Sequence, residues 1–163
     1  MLREVIALPM SSKIWIYQST KEFDYDDIDV IRHILYDFAD TWESHGIPIQ
    51  GYANLFHKRF IVFMADETNH GVSGCSTDKS VHLVEELSTK MNADFFDRMH
   101  FCYMDDKEEI QCLHKDKFIA AYQNGTINDE TLVFDHLVKT KGEFLTHWIK
   151  PLKESWHARF VSN

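Results

Sequence analysis

Lys13–Gln18 (KIWIYQ), where Ile14, Trp15, Ile16 and Tyr17 are strong strand formers, predicts a first strand. The hydrophobic period then lengthens. Ile28, Ile31, Leu35, Phe38 and Trp42 recur at three- and four-residue steps, forming one stripe of an amphipathic helix over about 25–45. Asp24 is placed to cap it, Asp26 and Asp27 suit the positive end of its dipole, and Gly46 followed by Pro48 is placed to end it. Residues 49–56 and 59–65 read as two further strands, with His57 and Lys58 between them as a hairpin turn. The second of these, RFIVFMA, is apolar almost throughout, as befits a central strand buried on both faces. A polar loop over 66–74 follows. Val81, Val84, Leu87 and Met91 then repeat at helical spacing over about 77–91, with Ser76 or Thr77 as the cap. His100–Met104 alternates again, and after an acidic turn Ile110 and Cys112 suit either a partner strand or a short helix.

Over residues 13–105 the order is strand, helix, strand, strand, helix, strand. It predicts an α+β fold of the ferredoxin-like, split-βαβ kind: an antiparallel sheet with both helices on one face. Residues 106–163 read as a C-terminal helical extension. They hold a helix near Lys115–Gln123 stopped by Gly125, an extended piece at 131–134, and helical sequence over 144–149 and beyond Pro151. Without a linker or an internal repeat, residues 1–163 read as a single domain, and 1–12 as a loosely ordered N-terminal extension.

Charge narrows the functional classes. Seventeen Lys and Arg stand against twenty-six Asp and Glu, a net −9. Residues 1–106 hold nine basic and eighteen acidic groups, and 107–163 hold eight of each, so the whole excess lies in the first two thirds. Such a surface repels phosphate backbones, which argues against nucleic acid as a partner. The longest apolar run, 60–65, is far too short to span a bilayer, and the opening MLREVIALPM lacks the core of a signal peptide. Three cysteines, Cys75, Cys102 and Cys112, are too few and too scattered for a secreted disulfide scaffold, and they point to a reducing, cytoplasmic setting.

The segment DETNHGVSGCSTDKS, 66–80, carries more chemistry than a turn requires. It ends a buried strand and opens a helix, a geometry that presents free backbone N–H groups and a positive dipole end to an anion. Gly71 and Gly74 allow close backbone approach, Ser73, Ser76 and Thr77 supply hydroxyls, and Asp66, Glu67 and Asp78 complete the candidate ligand-binding set. The first expectation is a small anionic ligand at 66–78. The second is a thiol-dependent enzyme with Cys75 as nucleophile and His70 as base. The third is a non-catalytic interaction domain, a homodimer among its forms. The same residues also have a plain structural reading as caps and a tight turn.

Three motif checks are negative. RFIVFMADE at 59–67 has the look of a Walker B strand ending in Asp66 and Glu67, yet no P-loop accompanies it, so ATP hydrolysis is not expected. A cysteine-phosphatase loop from Cys75 would need Arg where Val81 stands. Ten histidines include no HExxH, and no CxxC is present, so neither a metal nor a cofactor is expected.

KIWIYQS at 13–19, SGCSTDKSVH at 73–82, FFDRM at 95–99, TLVFDHLV at 131–138, and the closing W-x-x-P with SWHARF together resemble a small bacterial family, common in Bacteroidetes. That family is commonly labelled "ABC transporter ATPase". The likeness covers about 13–160. It implies a bacterial protein and makes either Met1 or Met10 a natural start, but it brings no catalytic residue to carry over, and the label conflicts with the missing P-loop.

Overall fold

A computed structural model describes residues 7–162. The chain divides into two compact units, Met1–Phe96 with Lys139–Gly142, and Asp97–Val138 with Glu143–Asn163. The expected loosely ordered segment 1–12 lies half outside the described residues. Within it, Leu8 is buried, its carbonyl accepts the Lys141 Nζ at 2.7 Å, and the Met10 carbonyl accepts Gly142 N at 2.9 Å.

The first unit is built on three antiparallel strands, β1 (Lys13–Gln18), β4 (Gln50–Phe56) and β5 (Phe60–Asp66), in the order β1-β5-β4. Helix α1 (Tyr25–Thr41) starts at an N-cap, Asp24, whose carboxylate accepts Asp27 N at 2.9 Å. Its stripe Ile28, Ile31 and Leu35 is buried with Val84 and Leu87 of helix α2 (Gly74–Met91) against Ala53, Leu55, Ile61, Phe63 and Ala65. Those five strand residues alternate onto one face of the sheet, so both helices cover the same face. Central β5 is buried on its other face too, at Phe60, Val62 and Met64.

Three local readings are revised. Helix α1 stops at Thr41, because Trp42 turns into extended backbone and its buried indole donates to the Ser76 carbonyl at 3.1 Å. His45 and Gly46 then form the two-residue turn of a short ribbon, β2 (Glu43–Ser44) with β3 (Ile47–Pro48), both with positive φ as a type I′ turn demands. Gly51 faces Trp42: a Cβ there would lie 2.7 Å from the indole, so no larger residue fits. Between β4 and β5 the turn takes three residues, 57–59, and its Arg59 folds inward to donate to the carbonyls of Ser19 and Thr20.

The second unit carries a four-stranded antiparallel sheet in the order β7-β6-β8-β9, made of β6 (His100–Met104), β7 (Ile110–His114), β8 (Leu132–Phe134) and β9 (Ile149–Pro151). Helix α3 (Lys115–Gln123) packs Phe118 and Ala121 with Phe101, Tyr103, Val133 and Leu152. Helix α4 (Lys141–His147), a short 3-10 turn (Leu152–Glu154) and helix α5 (Ala158–Val161) complete the chain.

The α+β class with antiparallel sheets is what the structure shows, and β1, β5 and β4 lie in the order expected of the first three strands, but the full four-stranded ferredoxin-like order is not formed. That order needs His100–Met104 beside β1 in one sheet. Here β6 pairs instead with β7 and β8. The acidic turn explains the switch. The Asp105 carboxylate accepts the N–H groups of Lys107 and Glu109 and the Gln111 amide, so β6 folds back on its sequence neighbour. Residues 106–163 contain three strands: β7 takes the partner-strand alternative, β8 falls on the extended piece expected at 131–134, and 149–151, expected within helical sequence, is a strand because it pairs with β8 through Phe134↔Ile149.

Candidate functional site

A groove of about 660 Å³ opens in the first unit between the β2–β3 ribbon and the loop that leaves β5. Ser44, Ile47, Pro48, Ile49 and Gln50 line one side, and Asp66, Asn69 and His70 the other. Ribbon and loop meet here because β4, which follows the ribbon, is paired with β5, and Gln50 stands opposite Asp66 in the register. The Thr68 hydroxyl donates to the Asp66 carboxylate, as does Thr68 N at 2.9 Å. The hydroxyl, and then the backbone N–H, hold this carboxyl below the usual carboxylate range, so it is an anion at neutral pH. The groove thus presents one fixed negative charge, two amides, a hydroxyl, an imidazole and a short apolar wall. None of its lining residues is Lys or Arg.

Of the ten residues singled out over 66–78, Asp66 and His70 line the groove. Glu67 accepts Val72 N at 3.1 Å and thereby shapes the loop. Ser73 is the N-cap of α2, which begins at Gly74, three residues ahead of the pattern-based start. The Ser73 carbonyl accepts Thr77 N, its Oγ accepts Ser76 N, and the Thr77 hydroxyl returns to the Ser73 carbonyl. Ser76 is fully buried and donates to the Glu43 carbonyl at 2.7 Å, which ties the helix start to β2. These hydroxyls are committed to the fold. Gly71, Gly74, Cys75 and Asp78 are exposed. Among the described residues no hydrogen bond joins Cys75 to His70, and none is placed to activate the thiol.

The second unit buries a polar cluster that periodicity did not reveal. Asp135 accepts Leu137 N at 3.0 Å and Trp156 N at 3.2 Å, and pairs with Lys150 Nζ at 3.4 Å. His136 accepts the Trp148 indole N–H at 3.1 Å. Burial, then the neighbouring His157, pushes the His136 imidazole down to about 3. His157 is pushed down to about 4, chiefly by burial; Asp135 opposes that shift and Lys150 adds to it. Ser155 lies 3.3 Å from His157 Nδ1, but its hydroxyl proton goes to the Leu152 carbonyl at 2.8 Å, so this is a structural turn and not a nucleophile. Trp148, Trp156 and Phe160 make ring contacts within the same unit.

The sequence reading missed the ribbon wall of the groove, and the left-handed pair His45–Gly46 was the available signal for it. Among the described residues no helix is long and apolar enough to cross a membrane, and no group of three or more His, Cys, Asp or Glu is placed to hold a metal ion. No family model matches the chain, and neither a curated protein nor a solved structure matches it.

Proposed function

We propose that the chain is a binding protein for a small polar ligand, held in the groove between the β2–β3 ribbon and the loop after β5. The observation that carries this reading is the Asp66 carboxylate in a groove wall that has no Lys or Arg. A carboxylate there repels a free anion and favours a ligand that offers hydrogen-bond donors, such as an amine or a polyhydroxyl compound. Gln50, Asn69 and Ser44 supply orienting partners, and Ile47 and Pro48 supply an apolar platform, the mixture typical of small-molecule sites. The sequence-based expectation of an anion moves to the start of α2, where only the N–H groups of Gly74 and Cys75 are left over from capping.

Amide NMR titration separates the two. A simple primary amine or a monosaccharide should shift Gln50, Asn69 and His70, and Asp66→Asn should weaken the amine by about tenfold or more, the value of a charge-assisted hydrogen bond. Inorganic phosphate that shifts Gly74 and Cys75, with no amine or sugar response at Gln50, would replace this reading with the anion site. The label attached to the resembling family predicts ATP turnover. Without a phosphate-binding loop we expect none, and saturable turnover lost in Asp66→Ala would restore that label.

A further inference from the structure

We infer that Cys102 and Cys112 are a reversible redox pair, oxidised and reduced by thiol–disulfide exchange through Cys112, independently of the groove. The β6–β7 register sets this up. Lys115 N donates to the Met99 carbonyl at 2.7 Å, and Asp105 N to the Glu109 carbonyl at 2.9 Å. These two hydrogen-bonded pairs bracket the hairpin, and strict alternation between them makes Cys102↔Cys112 and His100↔His114 narrow, non-hydrogen-bonded pairs on one face. The two cysteine Cα atoms are 4.1 Å apart and their sulfurs are joined in a disulfide.

The hairpin does not need that bond to keep its register. Five residue pairs of the ladder hold it, and Phe101 and Tyr103 anchor its opposite face in the core of the second unit. Reduction therefore leaves two thiols facing each other on an unchanged backbone, ready to reoxidise. The two sulfurs differ in access. Cys102 is 1% exposed, whereas Cys112 is only partly buried. Beside them the His100 and His114 side chains are 28% and 43% exposed, so this face opens to solvent at that end.

In the reductive direction an incoming thiolate bonds to the Cys112 sulfur, and the Cys102–Cys112 bond breaks. Cys102 leaves as a thiolate and takes a proton from solvent. A second thiolate of the reductant attacks its own sulfur in the mixed disulfide and releases Cys112. Two electrons pass from a dithiol, or from two molecules of a monothiol such as glutathione, which becomes its disulfide. The oxidative direction is the reverse, with that disulfide as electron acceptor.

The test equilibrates the full chain in glutathione and glutathione disulfide mixtures, quenches with acid, alkylates, and maps each cysteine by mass spectrometry. We expect Cys102 and Cys112 to lose their label together in one two-electron transition, with Cys75 behaving separately and both end states folded by circular dichroism. In a Cys75→Ser background, Cys102→Ser should take up glutathione at Cys112 about tenfold or more faster than Cys112→Ser takes it up at Cys102. Thiols that stay alkylatable at every ratio, a pair that exchanges only in denaturant, or a reduced chain that loses its circular dichroism signal would each overturn the proposal. Equal uptake by the two variants would overturn the route through Cys112.

Discussion

The two units solve the problem of burial differently. In the first, the helix-facing side of the sheet is an almost unbroken set of Ile, Leu, Val, Phe and Ala, with two helices supplying one stripe each. In the second, aromatic rings surround buried charge: Asp135 and Lys150 are paired, and two neutral histidines lie among Phe101, Phe118, Trp148 and Trp156. An apolar core fails gradually as contacts are removed. A buried polar cluster fails abruptly, because each lost partner strands another group without water.

The largest effect should come from breaking that cluster. Asp135→Ala leaves Lys150 unpaired and orphans the N–H groups of Leu137 and Trp156, and it should destabilise the second unit by about 3–5 kcal/mol. Denaturant unfolding followed by tryptophan fluorescence measures this. A loss below about 1 kcal/mol would mean that water reaches Asp135 and that the contrast between the units is false. Leu35→Ala, at a fully buried position of the first unit, should cost about 2–5 kcal/mol by leaving a cavity under α1. A near-neutral result would place the stripe in solvent.

Acidity sharpens the comparison further. His136 and His157 titrate lower when folded than when unfolded, so below pH 6.5 the unfolded chain binds protons that the folded chain refuses. Their contribution is complete above about pH 6.5 and is lost as pH falls toward about 4 and 3. Between pH 7 and 5 the cost should be on the order of 1–2 kcal/mol for each histidine. His57 in the first unit, shifted down by burial, adds to the slope in the same direction. His157→Phe, which keeps an aromatic ring in place, should flatten the dependence. An unchanged slope would remove His157 from the account. The smallest effect is expected at the start of α2, where Ser73→Ala removes the cap on Ser76 N and should cost about 1 kcal/mol, read as a small shift in the denaturant midpoint.

The candidate site was legible only in part, and for a definite reason. Asp66 and His70 drew attention as polar residues in a loop after a buried strand, and both line the groove. Ser73, Ser76 and Thr77 drew the same attention, yet their hydroxyls satisfy the helix start and the Glu43 carbonyl. Sequence does not distinguish a hydroxyl that caps from one that waits for a ligand, since both stand at the same position ahead of a helix.

What the sequence determined by itself was the local period. The stripe Ile28, Ile31, Leu35, the all-apolar run of β5 and the alternation of β6 each commit a segment to helix or strand, because burying one face of a short element needs nothing beyond its own residues and a partner surface. Which partner each strand took was decided only in three dimensions. Residues 100–104 read equally well as an edge beside β1 or as one arm of a hairpin, and the carboxylate of Asp105, by gathering Lys107, Glu109 and Gln111, chose the hairpin. The same choice set Cys102 opposite Cys112. It also ended any single-sheet fold, because a strand has only two edges and both edges of β6 were then occupied, by β7 and by β8.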